Sequence, residues 1–256
     1  MREDVVVWWS PNDHPRGTLY TQHGETRERL DWNMLFPEPE PVFPELARKR
    51  NKFVEDNSYI RCPAVQMGMK NLFVTRSPLP TKIDIVVNED GEVNQEIESD
   101  NYDQPHWWIA RAPSVQNNIL LHSYMSYFLF PEEPLNISMT APFFHQAPHL
   151  QYGAIVPGMF DFGNWFRPAN LEFNLWDGVR NFEIGEGEPV AYWQFHTNKR
   201  IIFKRFFLSE ELKAFGVNSA NSTRWLPGKT LEERYKMFRR SKMNEQVLAQ
   251  IKRNAV

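Results

Sequence analysis

Residues 169–207 read ANLEFNLWDGVRNFEIGEGEPVAYWQFHTNKRIIFKRFF. Leu171, Phe173 and Leu175 alternate with Glu172, Asn174 and Trp176. A period of two turns one row of side chains into a core and the other toward solvent, as in a half-buried strand. Asp177–Gly178 supplies a turn, and Phe182 and Ile184 alternate around Glu183. Gly185 and Gly187 punctuate before a strand from Pro189 to Phe195, and Asn198 turns the chain into Arg200 to Phe207. The region from Gly153 to Phe207 that holds this stretch predicts a meander of short strands, the pattern of sandwiches, jelly rolls and barrels.

The same signal extends upstream. Leu135, Ile137, Met139 and Ala141 alternate with Asn136, Ser138 and Thr140, and Ile119 to Phe130 is a long strand candidate. Asn71 to Thr75 and Thr81 to Val87 are β-like, and Asp90–Gly91 is a hairpin signal. Trp107 and Trp108 are adjacent in a β-like run from His106 to Arg111, so their indoles face opposite sides. Val5 to Trp9 reads as a strand, and Pro11 to Gly24 is polar and turn-rich. FPEPEPVFPE, residues 36–45, is a stiff extended arm, followed by a short helix from Glu45 to Phe53.

The period changes at the C-terminus. Ser209 to Phe215 predicts a short helix ended by Gly216, and 218–228 a polar loop. Thr230 with Glu233 forms a capping box, and Leu231, Tyr235, Phe238, Met243, Val247 and Ile251 give helical stripes, broken near Ser241. The expected fold is therefore mainly β: a sandwich, jelly-roll or barrel-like core over 55–208. A strand and proline-rich arm over 1–54 precede it, and a helical extension over 209–256 follows.

Composition sets limits. The 256 residues carry 29 Lys and Arg against 32 Asp and Glu, 41% hydrophobic and 24% charged overall, which suits a soluble globular chain. A net charge of −3 excludes a strongly basic nucleic-acid coat. Residues 231–253 hold seven basic and three acidic side chains, a balance of +4 that leaves −7 elsewhere. Such asymmetry suits a C-terminal helix docking on an acidic neighbour. Cys62 is the only cysteine, so no internal disulfide or cysteine metal cluster forms. No signal peptide or membrane span is evident, and a cytoplasmic location is expected, in the host or in a virion if the chain is phage-encoded. Nine Trp, eight Tyr and nineteen Phe beside nineteen Pro suggest short strands joined by ordered loops.

No catalytic residue can be assigned. The chain has no phosphate loop, nucleophile elbow, kinase set or zinc-deaminase pattern. His145 and His149 lie in FFHQAPH, and a cupin-like site could join them to His122, His196, Asp161 or Glu172 around iron, manganese or zinc. The competing reading makes each a hydrogen-bonded or solvated side chain. Trp8, Trp9, Trp107, Trp108, Trp165 and Trp176, with Arg167 and Arg180, are candidates for contact with a partner chain. The acidic balance weighs against nucleic acid. A homo-oligomeric structural or interaction protein is the leading expectation.

Two resemblances add to this. In 153–196, Pro157–Gly158, Asn170–Leu171 and Glu188 to Ala191 leading to Phe195 resemble the C-terminal strands of the dUTPase and dCTP-deaminase family. That implies a β fold in an oligomer and a nucleotide-processing alternative. The family's serine/arginine and catalytic acidic motifs have no counterpart here. CPAVQMGMKNLFVTRSPLP at 62–80 and NFEIGEGEPVAYWQF at 181–195 resemble proteins of tailed bacteriophages. That likeness implies a virion, assembly or host-takeover role and no particular activity.

Overall fold

In the computed structural model, which describes residues 3–12, 19–23, 26–30, 32–48, 59–87, 93–98, 107–109 and 119–256, strands dominate and helices gather at the C-terminus. The chain runs through β1 (Asp4–Pro11), β2 (Leu19–His23), β3 (Thr26–Leu30), α1 (Trp32–Leu35), β4 (Glu40–Pro41) and α2 (Val42–Arg48). Next come α3 (Pro63–Gly68), β5 (Leu72–Arg76), β6 (Thr81–Val87), β7 (Val93–Glu98), β8 (Trp107–Ile109), β9 (Leu120–Pro131) and β10 (Leu135–Thr140). Then follow β11 (Gly153–Ile155), β12 (Gly158–Phe162), β13 (Pro168–Leu175), β14 (Asn181–Ile184), β15 (Pro189–Phe195) and β16 (Arg200–Arg205). The chain finishes with α4 (Glu210–Trp225), α5 (Leu231–Arg240) and α6 (Met243–Arg253).

This is a mixed α/β fold whose main sheets are curled and unclosed. One sheet has the order β11-β13-β9-β1-β16, with β8 also on β9; a second has the order β12-β10-β15-β5-β4. β14-β6-β7 and β2-β3 form smaller sheets. β1 is the hinge of the topology. It pairs antiparallel with β9 through Trp9 and Leu129, and parallel with β16 through Val5 and Ile201.

Continuous apolar strands are buried on both faces, and alternating ones on a single face. Val5, Val7 and Trp9 of β1 join Leu121, Met125 and Leu129 of β9 in the central core, which also takes Ile137, Phe173, Phe182, Trp193 and Phe195. Trp8, Phe128 and Phe130 point the other way, into a second cluster with Phe206, Leu212, Val247 and Ile251. Thus α4 and α6 cover the outer face of the first sheet. On the second sheet, Leu72, Val74 and Tyr192 meet Val42 and Met69, with Phe43 and Val65 packed against them. β10, with the alternating sequence LNISMT, buries every second residue.

Three expectations are corrected. The 169–207 stretch is not a meander: β13 and β16 belong to the first sheet, β14 to a small sheet and β15 to the second. Alternation specifies which face a side chain takes but not which strand lies alongside. The helix expected to stop at Gly216 instead continues to Trp225, absorbing much of the predicted polar loop. Gly216 is needed there for close packing on Phe128. The helix expected from Glu45 starts at Val42, with Pro44 early in the helix where its missing N–H costs nothing.

The Asp90–Gly91 turn lies outside the described residues, between β6 and β7, which pair antiparallel. The stripe break falls at Ser241 and Lys242, where Lys242 takes a left-handed φ of 56°. Among the described residues no helix is long and apolar enough to cross a membrane.

Candidate functional site

The histidines do not converge. His122 on β9 faces Glu172 on β13 at 3.6 Å, and this contact holds the Glu172 carboxyl below its ordinary pKa. His145 lies between Tyr192, whose hydroxyl is 2.5 Å from Nδ1, and Glu45, 3.0 Å from Nε2. His149 is buried beside Phe173 and Phe182, with Nδ1 3.3 Å from Glu188. His196 is exposed, with Nε2 2.6 Å from Ser138 Oγ. Asp161 accepts from the Asn164 amide at 2.9 Å on both carboxylate oxygens. Among the described residues, no three His, Cys, Asp or Glu side chains are grouped to hold a metal ion. The structure therefore separates the proposed iron, manganese or zinc ligands into local pairs.

The His145 chain has a chemical order of its own. With the proton on Nε2, the imidazole donates to Glu45 and Nδ1 accepts from the Tyr192 hydroxyl. Arg76 donates to the same Glu45 at 2.7 Å. A hydroxyl–imidazole–carboxylate chain can move a proton. Here, however, Tyr192 is fully buried, so no substrate reaches its oxygen. The chain's evident work is to pin α2 and the 143–145 turn onto the second sheet.

The aromatic candidates divide sharply. Trp8, Trp9, Trp107 and Trp165 are buried in this chain, which accounts for them by packing. Trp176 is 48% exposed, with its indole N–H donating to Leu150 O. Arg180 is exposed and donates to the Val179 carbonyl. The Trp108 side chain lies outside the described residues. Trp165 and Arg167 do come together, the guanidinium lying 5.8 Å from the indole centroid. Burial pulls the Arg167 pKa down.

Trp165 divides two concavities. Between α4, α5 and α6 lies a cavity of about 310 Å³, walled by Trp165, Phe215, Met237, Phe238 and Met243, with Ser222 and Arg234 in its lining. Across Trp165 is a pocket of about 150 Å³ that includes Asp161, Arg167 and Tyr235. Tyr235 meets Trp165 edge-on at 5.0 Å, and burial raises its pKa. Among the described residues, Trp165 Nε1, Ser222 Oγ, Arg234 Nε and Arg167 Nε are buried without a hydrogen-bond partner. A buried donor left unpaired costs roughly 1–3 kcal/mol. A further groove of about 310 Å³, beside Phe43 and Met69, has no such atom in its lining residues.

The sequence points to Trp165 and Arg167 here but not to Ser222 or Arg234, and places Tyr235 only in a helical stripe. Their only trace is a basic, interrupted stripe over 231–240 and a polar tract at 218–222. No family model, curated protein or solved structure matches the chain.

Proposed function

We propose that the chain is a structural, protein-interaction protein that assembles with further copies of itself. The observation behind this reading is α5. It is closed by a full capping box, yet none of its residues is buried. Leu231 remains 50% exposed, lining the pocket that also carries the exposed Met159, and Met237 remains 43% exposed where it lines the cavity between the three helices. Lys236, Arg239 and Arg240 are exposed on the same helix. An amphipathic helix normally buries its apolar stripe. The partner surface that suits this helix is acidic, and the exposed Asp177, Glu183 and Glu186 offer one on a second copy.

The scaffold reading is a β-sandwich of jelly-roll type, supported by the single core shared by the two large sheets. The phage resemblance of 62–80 and 181–195 adds a virion or assembly setting. No observation among the described residues favours the cupin-like or dUTPase-like alternative.

Sedimentation velocity over a concentration series tests the assembly. The wild type should associate, less strongly as salt screens the contact. Lys236→Glu with Arg240→Glu should dissociate it, and Glu183→Lys with Glu186→Lys should restore mixed assembly with that variant. A monomer at every concentration and salt would overturn the reading.

A further inference from the structure

We propose that copies of the chain join head to tail, with the Trp176 indole of one copy seated in the pocket lined by Trp165 and Leu231 of the next. This rests on the assembly reading above and names the two faces that meet. Among the tryptophans whose side chains are described, Trp176 alone is exposed. It is also fixed in place. Its backbone N–H donates to the Tyr152 carbonyl at 2.8 Å, and its indole N–H donates to the Leu150 carbonyl at 3.2 Å. A large apolar side chain already held by its own chain loses little freedom on docking, and tryptophan in a pocket is the commonest kind of interface anchor.

The pocket suits one side chain. Its volume is about 150 Å³, where sites for whole small molecules begin near about 300 Å³. Met159, Phe160, Trp165 and Leu231 give it apolar walls, and Met159 and Leu231 are exposed at 66% and 50%. Asp161 and Arg167 also line it, and both Asp161 oxygens are engaged by the Asn164 amide.

Charge sets which faces pair. The segment 176–186 around the tryptophan holds Asp177, Glu183 and Glu186 against Arg180 alone, all four exposed. The helix beside the pocket, α5, carries four basic residues against two acidic ones. Two copies of either face repel, and one of each attracts. Position then decides the mode of assembly. Trp165 and Arg167 lie just before β13, and Trp176 directly follows it. The eight residues of β13 at about 3.3 Å each hold pocket and indole roughly 26 Å apart. No copy fills its own pocket. Contact between two different faces is heterologous, so it builds rings or open chains of copies.

Sedimentation velocity on two surface variants and their mixture tests this. Wild type should form concentration-dependent species larger than dimers. Trp176→Ala loses the indole and keeps the pocket. Leu231→Glu keeps the indole and spoils the pocket, at a helix start where a carboxylate is tolerated. Each alone should associate at least ten-fold more weakly than wild type. Their equimolar mixture retains one good contact, so it should form a one-to-one dimer and nothing larger. If Leu231→Glu does not fold, Met159→Glu takes its place. A wild type that stops at a dimer, a smaller loss in either folded variant, or a mixture that stays monomeric would overturn the head-to-tail contact while leaving assembly itself standing. A wild type that is monomeric throughout would overturn both.

Discussion

Gly216 lies against the ring of Phe128, so closely that a Cβ at this position would sit 2.9 Å from Phe128 Cζ and 3.0 Å from Cε1. Phe128 cannot swing aside: it is buried and packs on Phe166 with ring centroids 4.8 Å apart. This contact sets how near α4 comes to the first sheet. Alanine is the better helix former by about 1 kcal/mol, but overpacking a filled core costs about 1–3 kcal/mol. Gly216→Ala should therefore lose about 1 kcal/mol of stability in urea titration. Gly228→Ala, with nothing within 4 Å of the added carbon, should change little. Phe128→Leu should recover part of the loss in the Gly216→Ala background and none in the wild type.

Glu45 is the acceptor on which Arg76 and His145 both depend. Replacing it with alanine removes the carboxylate at 2.7 Å from Arg76 and at 3.0 Å from His145 Nε2, and leaves Arg76 with Glu40 and the Gly187 carbonyl. Breaking a buried ion pair from one side costs about 3–5 kcal/mol. Glu45→Ala should lower the melting temperature strongly. Tyr192→Phe, which removes one hydroxyl, should cost about 1 kcal/mol. Equal effects from the two substitutions would mean that the chain of contacts does not hold α2 in place.

Burial holds the His149 imidazole below its ordinary pKa of 6.5, against the opposing pull of Glu188. The unfolded chain thus binds a proton that the folded chain resists. The resulting stability is complete above the unfolded value and falls as pH drops through about 6.5 toward the folded pKa. Thermal melts from about pH 7.5 to about pH 5.5 should show declining stability. His149→Gln should flatten that slope, whatever its effect on absolute stability. Parallel slopes for the two proteins would remove His149 as the cause.

Ile251 and Val247 are fully buried and anchor α6 on the outer face of the first sheet. Glu132 reinforces the same attachment, accepting from Trp8 Nε1 and Lys252 Nζ, each at 3.0 Å. Ile251→Ala should cost about 2–5 kcal/mol in denaturant unfolding, as a large-to-small change in a packed cluster. Glu132→Gln should cost far less, because the amide oxygen can still accept from Trp8 Nε1 and Lys252 is half exposed. A loss at Ile251 no greater than at Glu132 would show that α6 is held by charge and not by packing.

Strand identity and face were legible from the chain alone, because alternation is a local property of extended backbone. The row Leu171, Phe173 and Leu175 is buried as its period implies, and Leu135, Ile137 and Met139 follow the same rule. The capping box at Thr230 and Glu233 was equally local. Partnership was not. β1 finds β16 through pairs such as Asp4 and Arg200, 196 residues apart, and no periodicity encodes that distance.

The candidate site divided along the same line. Trp165 and Arg167 stood out by residue type, but only helix packing brings Ser222 and Arg234 into one cavity with Trp165, and Tyr235 into one pocket with Arg167. The histidines show the converse, since closeness in FFHQAPH placed His145 with Glu45 and Tyr192, and His149 with Glu188. The sequence by itself determined the alternating strands of the core, the helical C-terminus and which of their faces are apolar. Only the tertiary structure decided which faces meet, why Gly216 continues a helix and where unpaired donors collect. Those outcomes depend on contacts between distant residues, whose energy no local pattern records.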